Sequence, residues 1–579
     1  MNNLVKTEKI NVMKTKASYI IALLLAMIIM AGCSEEWLEE KPPHLIATAT
    51  LYTSLAGMET GLNGLYGLFR QEREGSEGNG GVSPYTSNPN ALRVELAMNG
   101  TDNMCTNVPD RFSLVAANWG ERNSPGNTQI TSNFIWLYTT INAANAIINQ
   151  AQINDDIDWT GGQGTPEQSK NRVIAEATAI RALAYRHLTY GWGDVPFSIV
   201  ESVGSAIKTD WERTPVDQVR KQIISDLLFA QEHIPVEPVV RGKISKGAVQ
   251  HYLSEMYLAV NKPDSALYWA EQVINTSAYK LITDRYGVKK TQPGVPFMDM
   301  FLDGNSNREE GNTEALWVWQ NEYGVIGSGY NIMRRWHISE YAKIKIGNVV
   351  PLQFTIERGG RGVSRLSLTK WAIDLYEPGD DRASNYAIRK YFILKDADGN
   401  APFKADNLPA GYKYGDTIKM NWSQPLTPLY NSKVDWPYSR KFDGTDPINP
   451  QSSYSFNDQV YLRVADTYLL KAEAQFLLGQ TTEAAETINI IRRRAHASEV
   501  SAASISIDFI LDERSRELIF EEHRRYTLLR TGKLLERAKL HNFHGGELMA
   551  ARDVLYPIPQ IVIDANLTKK MPQTEGWPD

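Results

Sequence analysis

The stretch SKGAVQHYLSEMYLAVNKPDSALYWAEQVIN, residues 245–275, decides the fold of this chain. Apolar side chains recur at the period of an amphipathic helix on both sides of a short turn that contains Pro263. Ser245 and Asp264 are residue types that cap helix N-termini. The stretch therefore predicts a helical hairpin, with one helix capped by Ser245 and the next by Asp264.

The positions inside this hairpin follow the spacing of a tetratricopeptide repeat. Leu253 and Tyr257 lie on the first helix, and Ala266 and Ala270 lie on the second, where small side chains allow the paired helices to approach closely. A similar hairpin recurs over residues 462–495. Two copies predict a mostly α-helical fold with a tetratricopeptide-like framework.

Three further stretches show helical periodicity, namely residues 51–70, 133–151 and 171–190. Hairpins of this kind cannot bury their apolar faces alone. We therefore expect residues 171–275 to pack against residues 460–540.

The segment between the hairpins, residues 276–460, has a different character. It is rich in Gly, Asn, Asp, Pro and aromatic residues, and its periodicity is poor. A long irregular segment inside a compact protein usually carries function. We predict that it forms a loop-rich, aromatic-rich ligand subdomain inserted into the helical framework.

Composition and motifs exclude several classes of function. The net charge is −6, charged residues make up 22% of the chain, and both signs are interspersed, so a nucleic-acid partner is not expected. The sequence contains neither a P-loop nor an HExxH motif. We predict no cofactor, no metal and no catalytic residues. Cys105 is expected to be a packed thiol, and the protein is expected not to be an enzyme.

Clustered acidic residues do not alter that prediction. The adjacent pairs Asp155-Asp156 and Asp380-Asp381 cannot be assumed to flank a glycosidic bond, and solvated or capping roles are expected for them. The charged residues between Glu513 and Arg525 are spaced by three and four positions, which predicts ion pairs within one helix.

The N-terminus predicts export. Lys14 and Lys16 precede an apolar run over residues 19–30, and small residues lead to Cys33. The run is short for a membrane-spanning helix, which is the competing interpretation of this segment. The pattern resembles a bacterial lipobox, in which Cys33 is lipidated and becomes the first residue of the mature chain.

Motifs along the chain resemble those of the SusD/RagB family of nutrient-binding lipoproteins. Four stretches carry the resemblance, in the order expected for that family. The first runs from Ala175-Glu176-Ala177 through Arg181–Tyr185 to Gly193-Asp194-Val195-Pro196, and the second is the 462–495 hairpin. The third is Arg516-Glu517-Leu518 followed by Glu521, His523 and Arg524, and the fourth is Leu555-Tyr556-Pro557-Ile558-Pro559 followed by Asp564-Ala565-Asn566. Glu522 replaces a glycine that is usual in the family.

The resemblance implies a tetratricopeptide-based helical fold and a lipid anchor in the outer membrane, with the protein exposed at the cell surface. It implies a SusC-like TonB-dependent transporter as partner and an oligosaccharide ligand, with peptides as the ligand in some branches. Two different functions stay open, that of a glycan-degrading enzyme and that of a tetratricopeptide scaffold with only protein partners.

We predict a shallow, exposed ligand site, because aromatic rings suit the apolar faces of sugars and polar side chains suit the hydroxyl groups. Trp336 and Tyr330 are the predicted platforms, since both lie among polar or glycine residues. Asn99, Asp102 and Trp119 are the predicted partners from the N-terminal part.

These observations predict a division of the chain into five parts. They are a signal peptide at 1–32, a tether at 33–45, an N-terminal helical part at 46–275, the irregular insert at 276–460 and a C-terminal part with helical hairpins and the family signature at 461–579.

Overall fold

The two predicted hairpins are antiparallel helix pairs in a computed structural model of the protein. The first pair is Lys246–Ala259 with Pro263–Ile274, and the second is Val464–Leu477 with Thr481–Arg494. The structure describes residues 51–74, 94–107, 115–204, 207–325, 328, 330–397, 405–422, 432–452 and 454–578.

Helices dominate this part of the chain. In chain order they are α1 Leu55–Glu74, α2 Glu95–Met98, α3 Trp119–Arg122, α4 Thr128–Ile153, α5 Pro166–Trp192, α6 Val216–His233, α7 Lys246–Ala259, α8 Pro263–Ile274, α9 Pro296–Asp299, α10 Met333–His337, α11 Lys370–Asp374, α12 Ser432–Asp435, α13 Val464–Leu477, α14 Thr481–Arg494, α15 Ile507–Leu518, α16 Arg524–Arg530, α17 Leu534–His541 and α18 Gln560–Asp564.

The strands are short and pair antiparallel in twos. They are β1 Met104–Thr106 with β5 Leu366–Leu368, β2 Val195–Pro196 with β3 Arg213–Thr214, β4 Ala315–Trp319 with β10 Gln459–Arg463, β6 Ile388–Arg389 with β9 Tyr438–Ser439, and β7 Tyr391–Ile393 with β8 Thr417–Lys419. The predicted mostly α-helical fold is confirmed.

The caps of the first hairpin are only partly as predicted. Ser245 caps α7, because its side chain accepts a hydrogen bond from the amide of Ala248 at 3.2 Å. The N-cap of α8 is Lys262, and Asp264 lies inside the first turn. Pro263 starts the helix because its fixed φ angle and missing amide suit the first helical position.

The hairpins pack against each other across almost two hundred residues of sequence. Ala266 of α8 and Leu258 of α7 share one core cluster with Leu470 and Ala474 of α13. Both alanines are fully buried. The expected packing of residues 171–275 against residues 460–540 is confirmed.

A buried network of ions surrounds α15. Arg516 and Glu513 form the kind of pair within one helix that the sequence predicts. Glu517, however, pairs with Arg463, Arg382 and Arg494, which come from three other parts of the chain. The network therefore joins α15 to other parts of the chain, in addition to pairing successive turns of α15.

The segment between the hairpins is irregular, as predicted, and has a core of its own. Its cluster of buried side chains is Ile338, Tyr341, Ile344, Leu352, Phe392, Leu394, Ile418, Met420 and Tyr438. Residues Ser54–Asp579 form one compact unit. Within the described part of the chain, no helix has the length and apolar character needed to cross a membrane.

The predicted signal peptide, Cys33 and the tether lie outside the described residues.

Candidate functional site

The predicted partners from the N-terminal part are buried, which corrects the expectation of exposed ligand contacts there. Asp102 is 0% exposed, and its carboxylate accepts hydrogen bonds from Arg524 at 2.6 and 2.8 Å and from Arg537 at 2.7 Å. Trp119 is also buried, and a Cβ added to Gly100 would lie 2.6 Å from its ring. Arg524 lies on α16 and Arg537 on α17, so the ion pairs of Asp102 join the N-terminal segment to the C-terminal helices.

Asn99 is also buried, and its side chain binds the carboxyl group of Glu95 instead of lying at the surface. Its amide donates to Glu95 at 2.5 Å, and Gln129 donates to the other oxygen of the same carboxyl group. Burial raises the pKa of Glu95 to about 7, because neighbouring donors and Arg525 offset only part of the desolvation.

Glu95 should make stability depend on pH. The pKa of its folded form lies above the unfolded value of 4.5, so the native state holds the extra proton between these values. Stability gained by protonation is therefore lost as the pH rises toward 7. We expect the melting temperature to fall between about pH 5 and about pH 8 in the wild type, and to fall less in Glu95→Gln. An equal slope in both proteins would contradict this assignment.

Trp336 is not a surface platform, which corrects a second expectation. The polar segment around it forms the short helix α10, and its side chain is 2% exposed. The guanidinium of Arg365 lies 4.6 Å from the centroid of its ring. The ring is covered by protein and cannot stack against an external sugar in this conformation.

Tyr330 lies half-buried at a surface rich in aromatic rings, and its role as a platform stays a prediction. Its ring centroid is 4.3 Å from that of Tyr454. Beside this pair, Tyr323 is 44% exposed and makes an edge-on contact with Phe456 at 5.2 Å. We call these four residues the tyrosine surface.

The tyrosine surface is mounted on a paired β structure. β4 and β10 pair antiparallel with Gln459 opposite Trp319, and the register shifts after Val460. The segments that flank this end of the pair also lie side by side. Asn331 and Ser455 exchange two backbone hydrogen bonds, of 2.8 and 3.0 Å. Side chains alternate between faces in extended backbone, so Tyr454 and Phe456 lie on one face while Ser455 is buried on the other.

Polar side chains fix the loop that carries Tyr323. Arg70, at the end of α1, donates to the side chain of Asn321 and to the carbonyl of Ser328, both at 2.8 Å. Asp458 accepts from the amide of Asn321 at 2.8 Å. Asn321 also donates to the carbonyl of Asn457 at 2.9 Å. The loop is thereby tied to α1 and to the segment before β10.

Sequence reasoning missed three members of the tyrosine surface, Tyr323, Tyr454 and Phe456. The alternation Tyr-Ser-Phe over residues 454–456 is the signal that could have found two of them, because a period of two places both rings on one face of a strand. Such a surface offers apolar rings beside hydrogen-bonding groups. This is the combination that fits the mixed surface of a sugar.

A concave surface lies near the C-terminal end of α1, where Arg70 also lies. A cleft of about 670 Å³ is lined by Leu68 and Gln71 of α1 and by Ile135 and Thr131 of α4. Ile135 is 49% exposed, and Ile561 at the far wall is 60% exposed. Among the described residues, the lining is aliphatic and hydroxyl-bearing, and its single aromatic ring, that of Trp136, is buried. The described lining therefore offers no ring face for stacking.

Among the described residues, Glu72, His187 and His523 bring three potential metal ligands within 4.8 Å of one another. All three are buried, and His523 Nε2 lies 2.5 Å from the carboxylate of Glu72. Arg186 lies 3.0 Å from the other nitrogen of His523, and Tyr461 donates to Glu72 at 2.6 Å. A neighbouring guanidinium disfavours a cation, so we interpret the group as a hydrogen-bonding network.

Cys105 is a packed thiol, as predicted. It is 1% exposed, and its sulfur donates to the carbonyl of Ser367 at 3.5 Å. Burial raises the pKa of the thiol to about 12, so it carries no reactive thiolate at neutral pH.

Two family models match the chain. The model described as SusD family matches residues 317–577, and the model described as starch-binding associating with the outer membrane matches residues 36–258. SusD-like protein P25 of Formosa agariphila is 26% identical over 89% of this chain and 90% of its own length. Starch-binding protein SusD of Bacteroides thetaiotaomicron is 33% identical over 25% of this chain and 26% of its own length.

Solved structures share the fold. A SusD homolog from Bacteroides thetaiotaomicron gives a TM-score of 0.67 at 18% identity, covering 94% of this chain and all of the other. A laminarin-binding SusD-like protein gives 0.63 at 20% identity, covering 90% of this chain and 99% of the other. The ordered motifs, the two family models and the shared fold lead to one conclusion: the chain belongs to the SusD/RagB family.

Proposed function

We propose that the protein captures a nutrient glycan at the cell surface and acts as a binding protein rather than an enzyme. The observation that carries this proposal is the tyrosine surface, in which Tyr323 and Tyr330 lie beside Arg70 and Asn321. The names of two relatives support the ligand class, since one is a starch-binding protein and another binds laminarin.

We further propose that the captured oligosaccharide passes to a SusC-like TonB-dependent transporter in the outer membrane. The family resemblance supports this partner, and one matching family model is described as associating with the outer membrane. A receptor that hands its ligand to a transporter must release it quickly. We therefore expect a dissociation constant from about micromolar to about millimolar, which corresponds to roughly −8 to −4 kcal/mol.

Calorimetry with a panel of neutral oligosaccharides, followed by product analysis after long incubation, tests this function. Binding of one panel member, with the oligosaccharide recovered intact, is the expected result. Cleavage of the glycan would make the protein an enzyme. Binding of peptides alone would change the ligand class, and a melting temperature that no small ligand raises would favour a protein scaffold.

We propose that Cys33 bears the lipid anchor of the mature chain. The basic residues, the short apolar run and the sequence Ala31-Gly32-Cys33 support it. Mass spectrometry of membrane-extracted protein should find Cys33 as the acylated first residue, and Cys33→Ala should leave the membrane fraction. Residues upstream of Cys33 in the mature protein would contradict the proposal. One acyl chain binds only marginally, so more than one chain or the transporter should complete the anchoring.

A further inference from the structure

A groove of about 300 Å³ opens on the inserted segment, and its lining includes none of the four residues of the tyrosine surface. One wall comes from residues 285–302, and the other comes from residues near β6, β7 and β9. None of the residues predicted from the sequence to bind ligand lines this groove.

Positive charge predominates along the groove. Among the described residues that line it, six are lysine or arginine and three are aspartate or glutamate, although the whole chain carries a net charge of −6. Some of these charges are neutralised locally. Arg285 pairs with Asp299 at 2.6 Å, and Lys395 pairs with Glu357. Arg358 donates to the carboxylate of Asp406, which lies outside the groove lining, at 2.8 Å.

The remaining charges do not balance. Asp443 is shared by two cations, Arg440 at 2.6 Å and Arg389 at 3.5 Å. Lys289 is exposed on the opposite wall, and within the described part of the chain no acidic side chain lies within 4.0 Å of its ammonium group. Counting the described residues, the groove therefore keeps about two positive charges that no acidic side chain compensates.

Arg389 also has hydrogen-bonding capacity left. The residue is 8% exposed, and its Nε is buried without a hydrogen-bond partner among the described residues. That atom is buried, so a ligand in the groove would act on the charge of Arg389 instead. Arg389 shares the carboxylate of Asp443 with Arg440, and an anionic group in the groove would supply a second negative charge.

Aromatic and apolar side chains form the rim. Tyr386 is 40% exposed, Tyr391 is 36% exposed, and Ile393 is 46% exposed. Exposed rings next to unbalanced cations suit a ligand that has both an apolar face and an anionic substituent. A pyranose bearing a carboxylate or a sulfate has both.

We propose that this groove is a second saccharide-binding site, and that it takes acidic oligosaccharides. Tyr386 and Tyr391 stack on the sugar rings, while Arg389 and Lys289 bind the carboxylate or sulfate groups. The groove shares no residue with the tyrosine surface, so variants of each can be tested independently.

Calorimetry with three oligosaccharides of equal length tests the proposal. The probes are a galacturonate hexamer, a sulfated galactan hexamer and neutral cellohexaose. We expect at least one acidic probe to bind, and its affinity to fall severalfold when the salt concentration rises from about 0.05 M to about 0.5 M. Cellohexaose should bind the groove about tenfold more weakly or worse, because it cannot form charge-assisted hydrogen bonds.

Exposed variants locate the binding without risking the fold. Lys289→Glu and Tyr391→Ala should each lower the affinity for the acidic probe about tenfold or more. Lys262→Glu and Tyr268→Ala, exposed positions in the first hairpin, should leave it unchanged. Tyr323→Ala should also leave it unchanged, which separates this site from the tyrosine surface.

Three results would overturn the proposal. They are binding of neither acidic probe, equal affinity for the acidic and neutral probes, and acidic binding that survives both groove variants. Tighter binding of a glutamate hexapeptide than of either acidic saccharide would overturn the ligand class.

Discussion

Replacing Glu517 by glutamine should lower the free energy of unfolding by about 3–5 kcal/mol, the cost typical of breaking a buried ion pair. The side chain is 0% exposed and lies among the guanidinium groups of Arg463, Arg494 and Arg382. Burial alone would raise the pKa of Glu517, but the three arginines hold it well below its usual range. Each arginine keeps at least one other carboxylate partner, but the network loses the one buried charge that all three share.

Denaturant unfolding of Glu517→Gln measures this loss, and Glu486→Gln is the matched control. Glu486 also pairs with an arginine, Arg493, but its side chain is 60% exposed. An exposed ion pair of this kind contributes at most about 1 kcal/mol. Equal losses in the two variants would refute the structural role that we assign to the buried network.

Replacing Ala472 by tryptophan should overpack the second hairpin and cost about 1–3 kcal/mol or more. Ala472 is fully buried on α13 and packs with Ala484, Ala485 and Ile488 of α14. A large ring at this position can be placed only if the two helices move apart. Ala266→Trp should have the same effect in the first hairpin, because Ala266 is fully buried there.

Thermal unfolding tests both variants against Ala56→Trp, in which the exchanged residue is exposed on α1. We expect a clear fall in the melting temperature for the two hairpin variants and little change for the control. Unchanged melting temperatures for Ala472→Trp and Ala266→Trp would contradict the packing of the framework.

The framework can be predicted because its signals are local. Helical periodicity in residues 245–275 and 462–495 depends only on neighbours along the chain, and the small residues at Ala266 and Ala270 show where helices approach. The error at Asp264 is of the same kind, because Pro263 already starts the helix one residue earlier.

The ion pairs can be predicted only in part. Charges spaced by three and four positions predict pairs along α15, and Arg516 with Glu513 is one. The partners of Glu517 come from residues more than twenty positions away, and sequence spacing carries no information about such contacts.

The site is less predictable for the same reason. Polar neighbours in sequence suggest that Trp336 and Asp102 are exposed. In the structure, an arginine distant in sequence covers the ring of Trp336, and two others form ion pairs with Asp102. Tyr330 is identifiable because its glycine-rich segment indicates a loop. Its neighbours Tyr454 and Phe456 lie more than one hundred residues away, and the pairing of β4 with β10 and the adjacent Asn331–Ser455 bridge bring them together.

Isothermal titration calorimetry of the best-binding neutral oligosaccharide with the double variant Tyr323→Ala/Tyr330→Ala tests glycan capture at the tyrosine surface most directly. Tyr268→Ala is the control, because this tyrosine is 54% exposed and lies on α8 in the first hairpin. We expect the double variant to lose at least tenfold in affinity, or about 1.4 kcal/mol, while it keeps the wild-type melting temperature and the control binds normally. Wild-type affinity in a folded double variant would contradict the account.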